Sequence, residues 1–380
     1  MIIFIKNYIK KKIIYIQSVI GFPYQLSRHI KLLKKINFKY VSSVNKTNIS
    51  NNFLKKLIKN LKLQIQSTRI LKNDSHWNPI FLQHHIKLVD IILNNEKEAL
   101  EILNDPGSTD LFMGFDTNCI TLKKKPRHID KYENNFMVVD KILLFAEFLN
   151  IKKIENPERY KIINKKTNLY DLIDKIEQKI EISLDFKNPF PGEQGVEIRG
   201  GVLSNREIQA IYQAYRIKEI SKRFKNPSVV EIGGGLGRTA YYCRKFNIKN
   251  YTLVDIPISL LCQANYLARM IGEQNILLDS EFKIYNNENK CKIISPKTYF
   301  SNNISYDLCF NSDSFTEIDI NTQKKYTNSI LSKTKLFYSI NHENNLLTVN
   351  SHFNNNCESY SRNLYWLRRG YVEEVFLFYK

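Results

Sequence analysis

The chain has 380 residues, 43% of them hydrophobic, which excludes a disordered polymer and suggests two domains rather than one of average size. Its net charge of +20 and pI near 9.5 raise nucleic acid, an anionic membrane surface or a phosphorylated substrate as partners. Lysine and asparagine are spread along the whole chain beside much isoleucine, so a good part of that excess is background composition rather than a binding patch.

Met1 to Leu63 is basic, poor in acids and rich in isoleucine and leucine, with lysine runs at Lys10–Lys12 and Lys31–Lys35. Amphipathic helices are the plain reading, and a helix lying on an anionic membrane face the sharper one. Lys6 and Lys10–Lys12 break the first apolar stretch before it reaches spanning length, so no secretory signal is expected. Arg69–Leu103 reads as helical with a break near Asn78–Pro79, and Asp105-Pro106-Gly107-Ser108 as a turn leading into the aromatic segment Leu111–Asn118. His84 and His85 fall on different faces of that helix, and His76-Trp77 reads as packing, so none of them is a site candidate. Phe136–Leu149 and Leu169–Ile182 read as helices. Asn188–Gly201 concentrates proline and glycine and reads as a linker, dividing a mainly helical N-terminal region, 1–190, from a second domain, 195–380.

Beyond it, Ser204 or Asn205 is placed to cap a helix running to Phe224. Strands are expected at Val229–Ile232, Tyr251–Val254, Lys292–Ile294, Tyr306–Asn311 and Lys335–Asn341, with helices over Arg238–Phe246 and Ser259–Ile271. Tyr371–Tyr379 suits a terminal antiparallel strand. The six cysteines, Cys119, Cys243, Cys262, Cys291, Cys309 and Cys357, form no C-x-x-C pair and read as free thiols of a reducing, cytoplasmic compartment.

The most informative stretch is Val229–Pro257. An apolar run meets Gly233, Gly234, Gly235 and Gly237, a helical segment follows, and a second apolar run closes on Asp255. That order is a βαβ nucleotide-binding unit. The dinucleotide pattern G-x-G-x-x-G fails, because Arg238 stands where the third glycine is needed. The pattern E-x-G-x-G-x-G from Glu231 to Gly237 resembles instead the first motif of class I S-adenosylmethionine-dependent methyltransferases, with Asp255 matching the ribose-binding acid of the second. Leu253–Leu267, NSDSFTEI (Asn311–Ile318) and YSINHEN (Tyr338–Asn344) further resemble the sugar O-methyltransferase family of bacterial surface-glycan pathways. The resemblance covers about 195–380 and implies an α/β fold: a class I Rossmann-like sheet, mostly parallel with an antiparallel terminal strand. It implies S-adenosylmethionine as cofactor, with Glu231, Gly233, Gly235, Gly237, Asp255 and Asn311 as binding candidates, and a sugar or glycan as acceptor, free or linked to a nucleotide or lipid diphosphate.

An alcohol is a poor nucleophile, so methyl transfer to it needs positioning and a nearby base. Ligands of open α/β sheets bind beyond the carboxyl ends of the strands, where Asn311, Asp313 and Glu317, and then Asn341, His342 and Glu343, are expected. His342 is the candidate base, since imidazole suits neutral pH, with Asp313 and Glu317 as acidic partners. A Mg²⁺ ion held by Asp313, Glu317, His342 and Glu343 is the lesser alternative. Competing functions are an RNA methyltransferase, motivated by the basic charge, and a cofactor-binding scaffold without catalysis. Against nucleic acid, Asn311-Ser312-Asp313-Ser314 lacks the Asn/Asp-Pro-Pro-aromatic signature of amino-group methyltransferases. The basic N-terminal region is expected to attract a phosphorylated handle or touch the inner membrane face peripherally.

Overall fold

The computed structural model describes residues 40–42, 47–68, 86–109, 111–112, 114–115, 128–154, 168–190, 194–282, 289–345 and 347–379. Its N-terminal part holds a short strand, Tyr40–Ser42 (β1), and the helices Asn51–Thr68 (α1), Ile86–Asn94 (α2), Glu96–Asn104 (α3), His128–Phe148 (α4) and Leu169–Ile180 (α5). The expectations for residues 1–39, His76-Trp77, His84-His85 and Cys119 lie outside the described residues. In α1 the apolar spacing Leu54, Leu57, Leu61 is fully buried while the intervening lysines face water, so this apolar face is committed to the core rather than to a membrane. Asn168 caps α5 by accepting from the Tyr170 N–H (3.0 Å), and Leu172, Ile173, Ile176 and Ile180 line its buried side.

Residues 194–201 of the stretch read as a linker form regular structure. Gln194–Ile198 (β2) and Gly201–Leu203 (β3) form an antiparallel hairpin, and β1 pairs with the other edge of β2. Arg199 (φ 48°) and Gly200 (φ 74°) are both left-handed, the backbone a two-residue hairpin turn requires. The Arg199 guanidinium then donates to Glu177 (2.7 Å) and to Asp174, which fastens the turn to α5.

Asn205–Ser221 (α6) follows, capped by Ser204, whose hydroxyl accepts from the Glu207 N–H (3.2 Å). The remaining strands are Val229–Ile232 (β4), Tyr251–Val254 (β5), Ile276–Leu278 (β6), Cys291–Ile294 (β7), Tyr306–Ser312 (β8), Thr334–His342 (β9), Cys357–Leu364 (β10) and Tyr371–Phe378 (β11). Between them run the helices Arg238–Lys245 (α7), Pro257–Ile271 (α8), Pro296–Ser301 (α9) and Ile320–Lys333 (α10). The eight strands make one sheet in the order β10-β11-β9-β8-β4-β5-β7-β6. Strands β4 to β9 pair in parallel, and β11 returns antiparallel to β9 with β10 beyond it. The expected strands fall within a residue or two of their places; β6 and β10 are additions.

Apolar residues on the two faces of the sheet form two cores. One joins Val229, Leu253, Phe310 and Tyr338 to α6, α7 and α8 and extends to Leu54, Leu57 and Leu61 of α1 and Phe145 of α4. The other joins Val230, Ile232, Phe337 and Phe376 with Tyr326 and Ile330 of α10. The N-terminal helices thus complete the core of the sheet. Phe148 of α4 meets Tyr212 of α6 with ring centroids 4.9 Å apart, and Arg269 of α8 donates to the Thr47 carbonyl (2.8 Å) and Asn104 Oδ1 (2.9 Å). Cys243, Cys262, Cys291 and Cys309 are buried free thiols. Among the described residues no helix is long and apolar enough to cross a membrane.

One buried ionic group fixes the C-terminal strand against α6. Glu373, 3% exposed, accepts from Tyr212 Oη (2.6 Å) and Arg216 Nε (2.6 Å). Removing the carboxylate strands a mostly buried guanidinium and a buried hydroxyl. Glu373→Ala is expected to lower the unfolding free energy by about 2–4 kcal/mol in a denaturant titration, discounted because the Arg216 side chain stays 24% exposed.

Candidate active site

The parallel strands all end on one side of the sheet, and β4 ends there in the glycine run. Gly233 (φ 72°), Gly235 (φ 58°) and Gly237 (φ 87°) are left-handed, but for different surroundings. A Cβ on Gly233 would lie 2.0 Å from Ser314 Oγ, so that glycine is demanded by packing. A Cβ on Gly235 would meet nothing within 4 Å. The backbone at Gly235 therefore faces open space at the start of α7, whose positive dipole end points the same way. This is a cradle that a side chain would fill.

Asp255 stands beside it at the end of β5 and keeps part of its surface open. Its Oδ1 accepts from the Ile256 N–H (2.8 Å) and its Oδ2 from Gln263 Nε2 (2.8 Å). Burial pushes this carboxyl up to about 6, while the Ile256, Ser259, Gln263 and Gly235 donors pull the other way. Glu231, one residue before the end of β4, is placed differently. It is 3% exposed beneath the loop, 3.1 Å from where a Gly234 Cβ would lie, and accepts from Tyr251 Oη (2.8 Å). Burial raises it to about 8, so it is a neutral acid at pH 7 that supports the loop from below.

Asn311 is 0% exposed, and its amide is fully engaged. Nδ2 donates to the Ile232 carbonyl (2.7 Å) and Ser314 Oγ (2.6 Å), and Oδ1 accepts from the Phe315 N–H (3.2 Å) and Asn341 Nδ2 (2.8 Å). It ties the ends of β4, β8 and β9 together and has no group left over for a ligand.

The acceptor-side candidates gather at the ends of β8 and β9. Asp313 is left-handed (φ 63°), and its N–H donates to the Ile340 carbonyl (3.0 Å). His342 accepts the Asn344 N–H at Nδ1 (3.2 Å), leaving the Nε2 proton facing Thr316 Oγ1 (3.4 Å). Glu317 follows in a single 3₁₀ turn. Glu343 turns away to pair with Arg362 of β10. Among the described residues, no group of three or more His, Cys, Asp or Glu side chains is placed to hold a metal ion, so the Mg²⁺ alternative finds no ligand set there.

The turn between β10 and β11 brings residues that strand and helix patterns did not single out. Tyr371 pairs with His342 across β11 and β9, which carries Arg368 to the same end of the sheet. Arg368 Nη1 donates to Asp313 Oδ2 (2.7 Å), and its guanidinium lies 3.9 Å from the centre of the Tyr371 ring. Burial and then the Asp313 carboxylate push the Tyr371 hydroxyl up. Gln213 of α6 is a further contributor, accepting from Thr239 Oγ1 (2.8 Å) and donating to Ser312 Oγ (3.1 Å). The only sequence signal for this group was the Arg368-Arg369-Gly370 turn, which points to the site once the strand before it is known.

The parallel strands around β4, closed by an antiparallel C-terminal pair, have the order of the class I S-adenosylmethionine-dependent methyltransferase fold. No family model matches the chain, and no curated protein matches it. Among solved structures it is similar to the T. thermophilus 16S rRNA N2 G1207 methyltransferase RsmC, solved with AdoMet and guanosine, at 9% identity, 50% of this chain, 46% of that one and a TM-score of 0.33. It is also similar to the methyltransferase domain of bacterial CtHen1 (12% identity, 44% and 98% covered, TM-score 0.31) and to the mitomycin 7-O-methyltransferase MmcR (12%, 46% and 57%, 0.29). Likenesses of this size do not bear on the acceptor.

Two substitutions separate the roles of the glycines. Gly235→Ala is expected to leave the melting temperature within a few degrees and to weaken S-adenosylhomocysteine at least about tenfold by calorimetry, whereas Gly233→Ala destabilises the fold itself. For Glu231 the sign follows from its raised value: the folded chain keeps a proton that the unfolded chain releases above about 4.5. That contribution is complete below the unfolded value and fades as the pH climbs towards 8. Glu231→Gln, which cannot ionise, should melt near wild type at pH 5 and several degrees higher at pH 8.5.

Proposed function

We propose that this chain is an S-adenosylmethionine-dependent O-methyltransferase that methylates a sugar hydroxyl in glycan assembly. The observation that carries the cofactor half is the open, left-handed Gly235 beside a half-open Asp255 carboxylate. The two fit an adenosyl group, with backbone able to approach closely and a carboxylate able to accept from ribose hydroxyls. When bound, S-adenosylmethionine supplies a methyl group on a positively charged sulfur.

On the acceptor side, Ser312, Asp313, His342, Arg368 and Tyr371 offer a polar, hydrogen-bonding surface of the kind a polyhydroxylated molecule needs. His342 holds its loop through the Asn344 N–H, so serving as base requires it to release that bond. Asp313 and Glu317 are carboxylates at the same strand end, and Asp313 is the one whose partner reaches in from the hairpin. In this reading the helical region, 1–190, caps the acceptor side of 195–380. Arg238, the first residue of α7, already donates to the Gly114 carbonyl (2.9 Å) from that region. The basic residues ahead of it are suited to a nucleotide- or lipid-diphosphate handle.

The test is calorimetry with S-adenosylhomocysteine, with NADH as control. Wild type is expected to bind the former and not the latter, and Asp255→Ala to lose at least about tenfold in affinity. Because Asp255 titrates near 6, wild-type affinity should fall as the pH drops from 7.5 to 5, while Asp255→Asn binds weakly with little pH dependence. A wild-type chain that binds no S-adenosylhomocysteine at any pH would sink the methyltransferase reading.

A further inference from the structure

The exposed ion pair at the end of β8 joins the β10–β11 turn to the loop after β8 at the carboxyl ends of the parallel strands. Asp313 occupies the left-handed region, uncommon for a residue with a side chain, and such outliers concentrate at functional sites. Its partner arrives from a turn 55 residues away in sequence, and both side chains remain 43% exposed. A pair this open adds little to stability. What it does is hold one acceptor and one planar donor side by side, 2.7 Å apart, at the carboxyl ends of the strands. Asp313 Oδ1 is sealed from water and the Tyr371 hydroxyl lies against the same carboxylate, so the oxygen left facing outward is Oδ2. Arg368 is stacked on Tyr371, which fixes the plane of its remaining donors.

We infer that Asp313 and Arg368 form a clamp for a vicinal diol on the acceptor sugar, with Asp313 Oδ2 taking the hydroxyl that is methylated and Arg368 the neighbouring oxygen. Two oxygens on adjacent ring carbons, held gauche, have about the spacing of the Nη1–Oδ2 pair itself. The neighbouring oxygen accepts from the guanidinium, and the reacting hydroxyl donates to the carboxylate. As the oxygen–methyl bond forms, the carbon–sulfur bond breaks with its electron pair left on sulfur, and the hydroxyl proton passes to Asp313 Oδ2 and then to water. Asp313 is then a catalytic residue, and Arg368 both binds the acceptor and orients Asp313. The inference rests on the methyl-acceptor reading above and adds to it a substrate class, a sugar with two free adjacent hydroxyls.

Asparagine tolerates the left-handed backbone as well as aspartate does, so Asp313→Asn removes the charge without disturbing the turn. Wild type, Asp313→Asn and Arg368→Gln, each saturated with S-adenosylhomocysteine, are examined by saturation-transfer NMR against methyl α-mannopyranoside, methyl β-galactopyranoside and their deoxy derivatives lacking one hydroxyl of the diol. Turnover is followed in parallel as S-adenosylhomocysteine release from S-adenosylmethionine. The expected result is transfer to the diol protons in wild type, lost with the deoxy sugars and in both variants, while S-adenosylhomocysteine affinity stays within about twofold. Asp313→Asn should lower turnover by about 10²- to 10⁴-fold. Arg368→Gln should lower it less, move the acid limb of the pH–rate profile upward, and be partly rescued as Arg368→Lys. Equal sugar binding and turnover in wild type and both variants overturns the clamp and leaves the methyltransferase reading standing. Wild type that binds S-adenosylhomocysteine but neither sugar overturns the acceptor reading and the clamp with it.

Discussion

A fully buried primary amide must satisfy two N–H donors and two oxygen lone pairs, and Asn311 does so by joining three strand ends. Its donors fix the carbonyl of Ile232 at the point where β4 turns into the glycine run, and Ser314 in the loop beyond β8. Its oxygen takes the Phe315 N–H and the Asn341 amide, which brings in β9. Because Ser314 also packs against Gly233, the glycine run cannot shift without disturbing the loop that carries Asp313. The glycine run and the loop that carries Asp313 are thus held in register by one side chain. Preorganisation of this kind is what a displacement reaction asks of a protein, since most of its barrier is a matter of alignment.

Two carboxyl groups at this end of the sheet are driven apart by their surroundings. Glu231 and Asp255 lie at the ends of adjacent strands, and after burial the Asp255 charge further raises the cost of ionising Glu231. Glu231, under the loop with the Tyr251 hydroxyl alone beside it, settles the conflict by staying protonated near neutrality. Asp255, met by donors on Ile256 and Gln263, ionises first. Separation of this sort sets the two groups apart: one supports the backbone as a neutral hydrogen-bonding body, and the other carries charge at the strand end.

The parts of the fold that bury apolar side chains were legible in the sequence, because burial leaves a period. Val229–Ile232 and Tyr251–Val254 are buried throughout and mostly apolar, since both faces of a central parallel strand are covered. β10, Cys-Glu-Ser-Tyr-Ser-Arg-Asn-Leu, carries no such mark: it is an exposed edge held by backbone pairing to β11, and backbone pairing leaves no trace in side chains. Missing β10 also hid the site, because only a β10–β11 hairpin returns Arg368 to the end of β8. Asn188–Gly201 misled for the opposite reason. Gly200 serves a tight hairpin with left-handed turn residues rather than chain flexibility, and composition alone does not distinguish the two.

The same limit applies to charge. An excess of +20 suggested a basic surface seeking polyanions, yet several cations near the core are occupied in building the fold. Arg216 is neutralised by Glu373, Arg269 ties α8 to Thr47 and Asn104, and Arg199 fastens a hairpin to α5. Arg238 joins the start of α7 to the Gly114 carbonyl. These arginines link the N-terminal segments to the sheet through carbonyl and carboxylate oxygens, a task suited to a planar donor with fixed geometry. Arg368 differs from them in its place: its pair with Asp313, open to solvent on both sides, lies at the carboxyl ends of the parallel strands beside the glycine run. An ion pair inside a core is finished when the protein folds, whereas an open one beside a cofactor cradle keeps hydrogen-bonding capacity for a third molecule.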